Sequence, residues 1–125
     1  MSNVIDYSKW VKSLIDSSGP LSPSAHKALR TGRTFTGENP WSTGENSYAL
    51  GWIKGVYKGY EFITHGGASD AFGTNIMFFP ALKYGVVGFA NTAGTGNAVV
   101  EVLTWKLLND KLKVPAHDRY NHIKK

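Results

Sequence analysis

His65-Gly66-Gly67-Ala68-Ser69-Asp70 is the segment of this 125-residue sequence whose residue types come closest to doing chemistry. It follows the apolar run Tyr60-Glu61-Phe62-Ile63-Thr64, so the histidine stands at the end of a strand and the glycines lie just beyond it. Two glycines remove the side chains that would hold a ligand away from the main chain, and backbone N–H groups can then approach a substrate oxygen. Donors of that kind are what an oxyanion hole requires. The same string also reads as a tight turn, with glycines supplying positive φ and His65 as a packing residue. A Ser-His-Asp triad drawn from Ser69, His65 and Asp70 is not supported, because Asp70 adjoins Ser69 on a turn and nothing sets it behind the imidazole.

Other constellations are weaker. His26, His65, His117 and His122 include no His-Glu-x-x-His or His-x-His spacing, so no metal site is expected, and no cofactor motif is present. Gly94-Thr95-Gly96-Asn97 opens a helix after a strand and has the form of a phosphate cradle. It lacks the further glycine and the lysine of phosphate-binding loops, and capping of the last helix accounts for it. Trp52, Tyr57 and Tyr60 read either as pocket lining or, more simply, as sheet packing.

The elements that must position His65 follow from periodicity. Val4, Tyr7, Val11, Leu14 and Ile15, with Trp10 beside them, repeat at helical spacing. Asn3 is placed to cap that helix, and Ser17-Ser18-Gly19-Pro20 ends it. Ser22-Pro23 reads as an N-cap followed by proline in the first turn of a short helix running through Leu29. Thr31 to Ser47 reads as a long ordered loop anchored by Phe35 and Trp41. Tyr48 to Lys54 and Tyr60 to Thr64 read as strands of a hairpin turning between Gly55 and Gly59. Ile76 to Phe79 and Val86 to Phe89 are continuously apolar, which implies a sheet covered on both faces. A closing helix is expected from about Ala98 to Leu112, burying Val99, Val100, Leu103, Leu107 and Leu108, before Val114-Pro115. Helices, then antiparallel strands, then a helix define an α+β chain with a single core.

Composition narrows the function. Sixteen aromatic residues (4 Trp, 6 Tyr, 6 Phe) argue against disorder, and the absence of cysteine removes disulfides, thiolate nucleophiles and zinc-cysteine sites. The net charge of +5 raises nucleic-acid binding. Six of the fourteen basic residues fall in the last twenty positions (Lys106, Lys111, Lys113, Arg119, Lys124, Lys125), which reads as a solvated basic end, so no nucleic-acid partner is expected. No apolar run reaches the roughly 20 residues of a membrane span, and the Met1-Ser2-Asn3 start has no signal-peptide pattern. The compartment stays open.

Taken in order, Tyr48-Ala49-Leu50-Gly51-Trp52, His65-Gly66-Gly67, Phe72-Gly73, Phe79-Pro80, Tyr84-Gly85-Val86-Val87 and Ala90-Asn91 resemble the C-terminal part of the serine β-lactamase and penicillin-binding-protein-like hydrolases. Asp6-Tyr7-Ser8-Lys9-Trp10 is similar to the helix before the Tyr-Ala-Leu-Gly-Trp strand in those proteins, and Val114 to Arg119 is similar to the ends of fungal members. The resemblance implies a partial β-lactamase or transpeptidase-like fold, an antiparallel sheet flanked by N-terminal helices and a C-terminal helix. It also implies acyl transfer from a small-molecule amide or ester through an acyl-serine.

In that family a Ser-x-x-Lys carries the nucleophile, a Tyr-x-Asn or equivalent assists, and a Lys-Thr-Gly or His-x-Gly strand lines the pocket. His65-Gly66-Gly67 matches the third motif. The resemblance therefore implies that His65 polarises or orients the substrate and that Ala68 offers its N–H to the oxyanion. Gly66, Gly67 and Ser69 become substrate-binding positions, although Gly66 replaces the hydroxyl residue often found there. The Ser-x-x-Lys match in the chain, Ser24-Ala25-His26-Lys27, lies in the first turn of the short helix and reads as an ordinary helix start, and no Tyr-x-Asn precedes His65. Residues 1–125 are thus expected to form a single partial domain, inactive alone. The alternative is a non-catalytic module that binds a ligand or completes another chain through an exposed sheet edge.

Overall fold

Asn3 and Ser22 open the two N-terminal helices through their side chains. A computed structural model describes residues 2–92 and 94–119. In helix α1 (Val4–Asp16), the Asn3 Oδ1 accepts from the Asp6 N–H at 3.0 Å. In helix α2 (Pro23–Arg30), the Ser22 Oγ accepts from the Ala25 N–H at 3.2 Å. Ser17 takes the left-handed conformation with φ 51°, and the Ser18 N–H returns to the Ser13 carbonyl, which stops α1.

The segment expected to be a long loop contains a hairpin. Strand β1 (Thr34–Glu38) pairs antiparallel with β2 (Glu45–Tyr48), with a register shift between Phe35 and Gly37 where Gly37 has φ 85°. All of β1 is exposed, so no alternation of apolar residues announces it. The run from Tyr48 to Lys54 is not one strand. It bends at Ala49 to Trp52, where the Ala49 N–H donates to the Trp52 carbonyl at 2.7 Å, and β3 begins at Ile53.

Strand β3 (Ile53–Tyr57) turns through Lys58 and Gly59, both at positive φ, into β4 (Tyr60–Ser69). Asp70 and Ala71 then lead into β5 (Phe72–Phe79). A short 3-10 turn, Pro80–Leu82, connects β5 to β6 (Tyr84–Ala90), and helix α3 (Thr95–Lys111) closes the described fold. The sheet runs β1-β2-β3-β4-β5-β6, every neighbour antiparallel, so the α+β class with flanking helices holds.

Alternation divides the sheet between two cores, as the continuous apolar strands imply. Ile63, Ile76 and Phe78 face α1 and pack with Val11, Leu14, Ile15 and Trp52. Phe62, Met77 and Phe79 face α3 and pack with Tyr57, Trp105 and Leu108. Phe62, Phe78 and Phe79 are essentially inaccessible, and each such side chain contributes about 1.5–3 kcal/mol. Trp52 and Tyr57 are therefore core residues, with Tyr57 also bordering a surface hollow beside Trp41 and Arg119.

Helix α3 departs from its expected stripe. Val100 and Leu108 are buried together with Thr104, Trp105 and Asn109, whereas Val99, Leu103 and Leu107 are about half exposed. The helix is apolar on two sides, and the sheet takes the side bearing Trp105. Thr104 and Asn109 tolerate burial because the Thr104 Oγ1 donates to the Val100 carbonyl at 2.7 Å and the Asn109 Oδ1 accepts from the Tyr57 hydroxyl at 2.6 Å.

Candidate functional site

β4 is longer than its neighbour β3, and that difference makes the site. Ile53 of β3 pairs with Thr64, so residues 65–69 run past the start of β3 and pair with β5 alone. The hydrogen-bonding direction follows from the turns. A two-residue turn closes on a hydrogen-bonded pair, here Tyr57 with Tyr60 at one end of β4 and Ser69 with Phe72 at the other. Even-numbered residues of β4 therefore direct N–H and C=O toward β3, and odd-numbered ones toward β5. Val56 agrees with this alternation, since its carbonyl faces the opposite way and accepts from the Thr43 N–H at 2.8 Å.

Past Thr64 the two even-numbered residues are Gly66 and Ala68. Their N–H and C=O groups point to an edge that no described strand covers, and both residues are exposed. An edge of unpaired donors and acceptors beside glycines can receive an extended substrate group or a developing oxyanion.

The five residues singled out from the sequence thus lie together on one exposed stretch. By alternation from Ile63, His65 projects on the α1 side of the sheet. Gly67 follows two residues on, opposite Thr74, whose Oγ1 donates to the Gly67 carbonyl at 3.3 Å. A Cβ on Gly67 would stand 2.9 Å from that Oγ1, so the glycine keeps this part of the strand clear. Ser69 ends β4, four residues from His65 and, at about 3.3 Å per residue, about 13 Å along the strand. Asp70 sits in the turn at φ 45°, so Ser69, His65 and Asp70 form no triad.

Tyr48 joins the candidate site, and the sequence reading did not single it out as such. Its hydroxyl lies 3.0 Å from the His65 Nε2 across the start of β3, and the two rings meet edge to face with centroids 6.1 Å apart. Seventeen residues separate the pair in sequence, and only the β2-β3-β4 order brings them together. The signal was its place at the head of the Tyr-Ala-Leu-Gly-Trp string.

Ser24 remains apart from this arrangement. It is exposed in the first turn of α2, its Oγ 2.9 Å from that of the capping Ser22. Gly94 to Asn97 is also explained without a ligand, since α3 begins there and packs tightly on β5. A Cβ on Gly73 would come within 2.7 Å of the Asn97 backbone nitrogen.

The carboxylates held below their ordinary range lie away from β4. Lys12 and then Lys83 hold Asp16 down, and Lys106 with Arg119 does so for Asp110. Among the described residues no group of three or more His, Cys, Asp or Glu is placed to hold a metal ion, and no helix is long and apolar enough to cross a membrane. Below Gly66, on the α3 side, Ile53, Thr64, Asn75, Asn97 and Trp105 line a hollow of about 190 Å³, smaller than an ordinary ligand pocket.

The sequence and the overall fold match known proteins. The sequence model of the family described as Beta-lactamase covers residues 1–108. Unguisins hydrolase ungD of Aspergillus violaceofuscus (strain CBS 115571) is 40% identical across 100% of this chain, which spans 25% of that protein. Unguisins hydrolase ungD' of Aspergillus campestris (strain IBT 28561) is 35% identical over 97% of the chain and 23% of its own length. The octameric penicillin-binding protein homologue from Pyrococcus abyssi shares the fold, with a TM-score of 0.75 over 90% of this chain and 24% of its own, at 23% identity. The chain therefore spans about a quarter of the length of the relatives it matches. With a family match over residues 1–108, fungal hydrolases as relatives and a penicillin-binding-protein fold around the His-Gly-Gly strand, the chain belongs to the Beta-lactamase family.

Proposed function

We propose that this chain supplies the substrate-binding strand of a serine acyl-transfer site for small-molecule amides or esters, and that it carries no nucleophile of its own. The observation behind this reading is the open edge of β4, where the Gly66 and Ala68 amides stand exposed directly after His65. In this role the Ala68 N–H stabilises the oxyanion that forms when the acyl carbon becomes tetrahedral. One such donor is worth about 2.7–4 kcal/mol in a complete site. His65 orients the substrate beside it, Gly66 and Gly67 let the acyl group lie against the main chain, and Ser69 borders the far end of the contact.

The finer proposal concerns the reaction. Two relatives are named as hydrolases of unguisins, and identity of 40% and 35% over nearly the whole chain supports hydrolysis of that substrate class by a protein containing this segment. The segment alone binds without turning over. In 15N-labelled protein, an added penicillin should shift the amide resonances of Gly66 to Ser69 and leave α2 unmoved. No response on β4 would overturn the strand assignment. With a fluorescent penicillin or a nitrophenyl ester, mass spectrometry should find no covalent adduct, and a stoichiometric adduct on Ser24 would overturn the absence of a nucleophile.

A second reading, a strand-complementing module, is favoured by the β6 edge. No described strand pairs with its outer side, and a groove of about 770 Å³ lies between β6 and α1, lined by Val4, Ile5, Val11 and Val87 among others. On the opposite face α3 exposes Val99, Leu103 and Leu107. A further strand from another chain is the occupant this reading requires. Sedimentation and calorimetry of the isolated chain decide it, since a soluble, cooperatively unfolding monomer at all concentrations would count against it.

A further inference from the structure

His65 can offer a substrate either a lone pair or an N–H, and the choice rests on which ring nitrogen carries the hydrogen. The Tyr48 hydroxyl lies 3.0 Å from Nε2 with the two rings edge to face. A phenol is a stronger hydrogen-bond donor than a neutral imidazole N–H, and an imidazole nitrogen is the stronger acceptor of the two groups. That order of strengths argues for a bond from the Tyr48 O–H to the His65 Nε2, with the ring hydrogen on Nδ1.

We propose that Tyr48 is a positioning residue for His65, holding the neutral imidazole in its Nδ1–H tautomer. With Nε2 engaged by the phenol, His65 meets a substrate oxygen as a donor through Nδ1 and is not free to act as a base through Nε2. A donor at this position complements an oxygen that gains negative charge, which is the demand placed on the neighbouring Ala68 N–H. His65 itself is exposed in the part of β4 that runs past β3, where nothing in its own backbone fixes the ring. The functional part of this inference rests on the assignment of β4 as the substrate-binding strand. The tautomer is a property of the Tyr48–His65 pair and is measured without any substrate.

Long-range 1H–15N correlation spectra of the imidazoles, recorded on the 125-residue chain at pH 8, test it. The His65 signals are assigned by their loss in His65→Gln. The expected pattern is an unprotonated Nε2 and a protonated Nδ1. Tyr48→Phe keeps the ring and removes the donor, so Nε2 should shift toward the protonated type while the remaining amide spectrum stays in place. A His65 already protonated at Nε2 in the unmodified chain overturns the proposal, whether or not the variant folds. An unchanged tautomer in Tyr48→Phe overturns it as well. Failure of penicillin to shift the β4 amides would remove the functional reading and leave the tautomer result standing, so the two failures are distinguishable.

Discussion

Tyr57 donates to the Asn109 Oδ1 at 2.6 Å, from inside the core between the sheet and α3. Burial raises its phenol above the ordinary value. The folded chain therefore holds the Tyr57 proton more tightly than the unfolded chain does. The associated stability is complete below about pH 10 and is lost as pH rises through the folded value. Tyr57→Phe should cost about 1–3 kcal/mol at neutral pH, because Asn109 keeps a buried oxygen without its donor. It should also flatten the fall in stability that sets in above about pH 10, read as urea midpoints at rising alkaline pH. At this scale the sequence carried part of the candidate site. Histidine followed by two glycines after an apolar strand marks residues 65–69, because strand and turn chemistry are local. Tyr48 was not legible as a partner, since its contact with His65 depends on two intervening strand pairings and on where β3 begins.

Packing of α3 on β5 leaves no space at Gly73, where an added Cβ would meet the Asn97 and Gly96 backbone at 2.7–3.1 Å. Gly73→Ala should destabilise by about 1–3 kcal/mol, with amide shift changes concentrated in the first turn of α3, because main chain cannot yield as a side chain does. The exposed and buried faces of α3 can be separated in the same way. Leu108→Ala should cost about 2–5 kcal/mol, whereas Leu103→Glu should change stability by no more than about 0.5 kcal/mol in thermal unfolding. A large loss at Leu103 would show that its half-exposed side chain is part of the core. These two leucines also show why the sequence misassigned the stripe. Val99, Leu103 and Leu107 repeat as regularly as Val100 and Leu108, and periodicity cannot say which row meets the sheet. The capped helices α1 and α2 were legible because Asn3 and Ser22 act within their own first turns. The β1-β2 hairpin was not, because its first strand is held by ladder hydrogen bonds and buries nothing.

Charge is shared across the molecule in a way that weakens the polyanion reading. Lys106 and Arg119 both pair with Asp110, and Lys111 lies over the Tyr84 ring, so half of the terminal basic set is engaged within the fold. The uninterrupted order of the sheet carries a different consequence, in the time domain. Each strand pairs with the one just before it, so β1 to β6 can form as successive hairpins on the microsecond scale, without waiting for a remote segment. Docking of the helices is different, and α1 has the most remote partner. Val11 packs against Gly85 of β6, more than seventy residues away, and must wait until the whole meander exists. Val11→Ala should therefore speed unfolding in stopped-flow chevrons and leave refolding nearly unchanged, with a total loss of about 1–3 kcal/mol. Of the described elements, the earliest helix in the sequence would then be the last to find its place.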